Sequence, residues 1–104
     1  MHGYQLTFFM QQNRRHGGRV LADWLLQEAR RMELGGATLI AAAEGFGQHR
    51  TMHAAHFIEL GDQPLEVTMA VSSEDAERFL KHLKEEGVDV FFSKAAIEFG
   101  STCE

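Results

Sequence analysis

Near its start the chain alternates with a period of two: Leu6, Phe8 and Met10 interleave with Gln5, Thr7 and Phe9. The same beat returns later, where Leu65, Val67, Met69 and Val71 interleave with Glu66, Thr68 and Ala70. Successive residues of a strand face opposite sides of its sheet, so each run predicts a strand with one strongly apolar face and one mixed face. Each run is followed by a stretch with helical spacing. In residues 18–33, Leu21, Trp24, Leu25 and Met32 fall on one broad face, and after Ser72 so do Ala76, Phe79, Leu80 and Leu83. A chain patterned in this way is constrained to lay two apolar helix faces on one side of a sheet.

Punctuation sets the remaining boundaries. The first strand covers residues 4–12, and Asn13, Arg14, Arg15, His16, Gly17 and Gly18 make a polar, glycine-ended connection. Gly35-Gly36 stops the first helix by supplying the left-handed backbone common after a helix end. Residues 37–44, small and apolar, read as a buried second strand that ends in Gly45-Phe46-Gly47-Gln48. Residues 54–60 are strand-like again, and Pro64, which cannot donate to a ladder, marks a strand start or a bulge before residues 65–71. Ser72 supplies a capping hydroxyl, and Glu74 and Asp75 sit at the positive end of the second helix. The pairs Glu74/Arg78, Glu77/Lys81 and Lys81/Glu85 solvate its outer face. Gly87 ends it, and residues 88–97 form the last strand, with Val88, Val90 and Phe92 on one side.

The order βαββαβ predicts an α+β, ferredoxin-like sandwich: a four-stranded antiparallel sheet with two helices on one face. The other face presents Gln5, Thr7, Phe9, Glu66, Thr68, Ala70 and Phe91. It is too polar for a second helical layer and, with Phe9 and Phe91, too aromatic for water. Packing against copies of the chain resolves the conflict, so a homo-oligomer is expected.

At 104 residues the chain has room for one core, a single domain over 1–104. A formal net charge of -5 argues against nonspecific nucleic-acid binding, which needs a basic face. Cys103 is the sole cysteine, so no intrachain disulfide or thiol pair forms. No segment approaches the roughly 20 apolar residues needed to span a bilayer, and no basic, apolar leader opens the chain. A cytoplasmic protein without membrane insertion is expected. There is no serine nucleophile elbow, no cysteine beside a histidine and no phosphate-cradling glycine-lysine-serine loop, so the reading is not an enzyme.

Two stretches carry candidate chemistry. Gly45, Phe46, Gly47 and Gln48 lead directly into His49, Arg50, His53 and His56. Glycines at a strand end let the backbone turn and aim its N–H groups at an anion, and the same residues also make an ordinary hairpin corner. Arg14 and Arg15 lie between a strand end and a helix start, where anions are favoured, and they also suit a solvated basic corner. Imidazole suits zinc, copper and nickel. A regular strand would point His53 and His56 to opposite faces, so a metal site needs His49 with His53, a local bulge, or histidines from a neighbouring subunit.

In this frame the chain resembles the PII-like superfamily and, within it, the family known as domain of unknown function 190. The resemblance runs from Leu6 to about Phe99. It is carried by Gly36-Ala37-Thr38, Gly45-Phe46-Gly47, His53 and Gln63-Pro64-Leu65-Glu66-Val67. It implies a trimer whose subunit clefts take an adenine nucleotide or another small anionic metabolite. The loop after the second strand would dock on a membrane transporter or another regulated protein. By position, Gly45, Phe46, Gly47 and Gln48 match the base of that signalling loop.

The chain also departs from the PII pattern. The connection Glu85-Glu86-Gly87-Val88-Asp89 is short and acidic where PII proteins have a glycine- and lysine-rich loop. Ser101-Thr102-Cys103-Glu104 holds no terminal arginines, and Tyr4 is the only tyrosine. A phosphate would therefore be met by Arg14, Arg15, Arg50 or histidines. The alternative reading is a metal-binding oligomer similar to the copper-tolerance protein CutA, using His49 and His53.

Overall fold

The computed structural model describes residues 1–41, 44–46, 52–54 and 63–103. Its elements are β1 (His2–Gln11), β2 (Arg15–His16), β3 (Arg19–Val20), α1 (Leu21–Arg31), β4 (Thr38–Ala41), β5 (Glu44–Phe46), β6 (Met52–Ala54), β7 (Pro64–Ser72), α2 (Ser73–Glu85) and β8 (Phe91–Glu98). Four strands form one sheet in the order β4-β7-β1-β8, with every neighbouring pair antiparallel. This is the expected α+β, ferredoxin-like arrangement. Among the described residues no helix is long and apolar enough to cross a membrane.

The period-two runs become the two central strands. Leu6, Phe8 and Met10 of β1 and Leu65, Val67, Met69 and Val71 of β7 are buried beneath the helices. They meet Leu21, Ala22, Trp24, Leu25 and Ala29 of α1 and Ala76, Phe79 and Leu83 of α2. The rings of Phe8 and Phe79 meet edge to face at 5.8 Å, a geometry favoured by their quadrupoles. Register places Gln5, Thr7 and Phe9 opposite Ala70, Thr68 and Glu66, so these residues share the face without helices. Thr7 and Thr68 hydroxyls hydrogen-bond across its centre at 3.3 Å.

Several boundaries differ from the sequence reading. Arg15↔Val20 and His16↔Arg19 pair as a small hairpin closed by Gly17-Gly18, at φ 59° and 77°. Consecutive positive φ values are what a tight two-residue hairpin requires, so the hairpin uses residues that the helical pattern had claimed. Helix α1 starts only at Leu21, whose N–H donates to the Arg14 carbonyl at 2.7 Å. Its end is set by Glu33, not by Gly35-Gly36. Glu33 takes φ 59°, its N–H donates to Arg30, and the Leu34 N–H donates to Ala29. That bond pair is the Schellman stop, with Leu34 tucked into the core.

Helix α2 ends the same way. Gly87 (φ 72°) donates to the Lys84 carbonyl and Val88 to that of Leu83. This stop occupies residues 86–88, so β8 begins at Phe91 and not at Val88. The predicted Ser72 cap is present, its Oγ accepting from the Asp75 N–H at 3.1 Å. Arg78, however, pairs with Asp75 at 3.1 Å in place of Glu74, and also donates to the Met32 carbonyl. The second strand is corrected most. β4 is an edge strand, and Thr38, Leu39, Ile40 and Ala41 are all exposed, because the helices cover the central strands. The strand expected over 54–60 lies outside the described residues except for Ala54.

Candidate functional site

Gly45 and Phe46 were expected in a turning loop, but both belong to β5, where Gly45 stands opposite His53 and Phe46 opposite Met52. The chain is thus already extended and paired at the first glycine. Gly47, Gln48, His49 and Arg50 lie outside the described residues. Among the described residues no group of three histidine, cysteine or acidic side chains is placed to hold a metal. The His49 and His53 alternative rests on His49, which falls outside them.

The two arginines of the first connection are used differently. Arg15 Nη1 donates to the Gly18 carbonyl at 3.1 Å, a tie within its own hairpin. Arg14 Nη2 donates to the carbonyl of Asp89, far along the chain. That bond fastens the turn after β1 to the segment between α2 and β8.

The same segment walls a groove of about 480 Å³, lined by Phe8, Leu80, Leu83, Lys84, Gly87, Val88, Asp89, Val90 and Phe92. It opens where the helical layer stops short of the edge strand. Phe92, on the helix side of β8, is 40% exposed, and its ring tilts against Phe8 at 6.0 Å. Lys84 and Asp89 are its charged lining residues. The carbonyl end of α2 is partially negative, so an anion here depends on Lys84 to offset it. The arrangement suits a molecule with a flat apolar part, held between aromatic and aliphatic walls, and a charged end.

Sequence reasoning passed over these groove residues because residues 85–89 read only as a short acidic connector. One signal was available. Phe91-Phe92 puts one ring on each face of a strand directly after a glycine helix stop, and only one of those faces carries helices.

A family model, DUF190, described as Uncharacterized ACR, matches residues 3–91. The chain belongs to the DUF190 family. No curated protein matches the DUF190 chain in sequence. Among solved structures it is similar in fold to CPII of Thiomonas intermedia K12, a nitrogen regulatory PII-like protein bound to ADP, AMP and bicarbonate. That match has a TM-score of 0.67 at 19% identity, covering 99% of this chain and 92% of CPII. A candidate PII-like signaling protein of Thermus thermophilus, TTHA0516, is similar with a TM-score of 0.59 at 20% identity, covering 92% and 89%. CPII bound to ADP and bicarbonate alone gives 0.57 at 19% identity, covering 93% and 89%. At these identities the likeness is one of fold.

Proposed function

We propose that this DUF190 protein is a PII-like regulatory protein, not an enzyme. It assembles as a homotrimer and binds a small anionic ligand, an adenine nucleotide with or without bicarbonate, in clefts between copies. The groove at the end of α2 forms one part of each cleft. Arg14 borders it through its bond to the Asp89 carbonyl, with Arg15 next to it in the same turn, and the segment from Gly45 to Arg50 forms a second wall that docks on a partner such as a membrane transporter.

The observation that carries this reading is the apolar groove with a single lysine at its helix-end wall. It occurs in a fold whose solved neighbour CPII is bound to ADP, AMP and bicarbonate. A purine ring matches the Phe8–Phe92 and leucine walls, and a phosphate matches Lys84. Small-molecule sites usually combine such apolar walls with a few placed polar groups. Titration calorimetry with ADP, AMP, a cyclic dinucleotide and bicarbonate, singly and together, tests it. Binding of at least one is expected, and Lys84→Ala should weaken it about tenfold through loss of one charge-assisted contact. Silence from all four ligands would remove the reading.

A further inference from the structure

A belt of rings and charges joins the first hairpin to both helices. Trp24 of α1 is buried and contacts two imidazoles. His16 of β2 stands edge-on to it at 4.5 Å and 65°, and His82 of α2 stacks on it at 5.9 Å and 15°. His82 Nε2 lies 2.7 Å from Glu28 Oε1. Arg31 holds the same carboxylate through Nη2 at 2.9 Å and Nε at 3.2 Å. The Glu28 and His82 side chains are only 14% and 21% exposed, so water screens their contact weakly.

The short bond fixes the tautomer. A carboxylate only accepts, so Nε2 carries the hydrogen and donates it. A further proton must go to Nδ1, where it turns a hydrogen bond from a neutral donor to the carboxylate into an ion pair without breaking it. The charged ring then also lies against the indole face, a cation–π contact. Opposing charges are present as well. Arg31 Nη2 is 3.4 Å from His82 Nε2, with the Glu28 carboxylate holding both. Arg31 is further attracted by Glu86 at the end of α2. Arg78 is engaged by Asp75 and the Met32 carbonyl, and Arg19 faces His16 across the hairpin.

We infer that His16, Trp24 and His82 form a proton-responsive link between the turn that carries Arg14 and Arg15 and the helix whose end builds the groove. It tightens when an imidazole takes up a proton, the change of charge that histidine supplies. The link is a property of the free protein and stands whatever the groove binds.

A double-mutant cycle tests it: Glu28→Gln, His82→Gln and the pair, unfolded in urea at pH 8 and pH 5.5. Glu28 stays ionised at both values. The hydrogen bond from Arg31, and then that from His82, hold its carboxyl below the usual carboxylate range despite partial burial. The Glu28–His82 coupling should be about fivefold larger in the unfolding constant at pH 5.5, because the His82 donor then carries a charge opposite to the carboxylate, and a weakly screened ion pair contributes at the upper end of what partly exposed pairs do. Trp24, the only tryptophan, gives an independent readout. Its emission should change between pH 8 and 5.5, and His82→Gln and His16→Gln should each remove part of that change. Should His82→Gln fail to fold, His16→Gln carries the fluorescence test alone. Equal coupling at both pH values, or a Trp24 titration unaltered by the histidine substitutions, would overturn the link.

Discussion

Gly3 lies between two strands, opposite Ser72 on β7 and Ile97 on β8. A Cβ at this position would collide with the Val71 carbonyl oxygen and sit 2.8 Å from the Phe99 ring. Space, not backbone conformation, demands glycine here. Gly3→Ala should therefore destabilise the fold near the upper end of the about 1–3 kcal/mol typical of overpacking, read as a lower urea midpoint. An unchanged midpoint would mean that β1 shifts freely. Nothing in the sequence marks Gly3, because the atoms that exclude a side chain come from the distant residues Val71 and Phe99. The same limit applies to the site. Arg14 could be singled out by its place between a strand end and a helix start, but its bond to the Asp89 carbonyl could not, since the two are brought together only by the sheet. Trp24 was legible as core, whereas the imidazoles that contact it come from separate elements.

The two helices end with the same bond pattern but different residues. Helix α2 has Gly87 at the left-handed position, whereas α1 has Glu33 there at φ 59°. A side chain in that region costs roughly 1–2 kcal/mol, partly offset by the backbone freedom a glycine surrenders on folding. Glu33→Gly should therefore raise stability by about 0.5–1 kcal/mol, seen as a thermal midpoint several degrees higher. A lower midpoint would show that the Glu33 side chain holds the stop in another way. This is also where element boundaries were hard to read. Gly35-Gly36 was the natural stop by residue type, and the actual stop is fixed by Leu34 entering the core. The strands β1 and β7 were legible because burial on one face imposes a strict period. β4 was misjudged because its small, apolar residues lie at an edge that the helices do not cover.

At the scale of the whole molecule, the helix-free face leaves Phe91 51% and Ile40 44% exposed in the single chain, beside the Phe9–Phe91 ring pair at 5.6 Å. The four-stranded antiparallel sheet with both helices on one face was legible from pattern and chain order, whereas the strand order and register came only with the structure. If copies of the chain cover the helix-free face, Phe91→Asp should shift the protein toward monomer in sedimentation while leaving its circular dichroism intact. A wild-type protein that sediments as a monomer would sink the trimer. The stop of α2 has a consequence for divergence within the family. Gly87 and Val88 both end the helix and line the groove. Inherited changes at either position are filtered first by whether α2 still terminates, whatever they do for a ligand. If the groove holds the proposed ligand, differences in ligand preference between relatives should accumulate at Lys84, Asp89 and Phe92, which line the groove and whose side chains take no part in that stop.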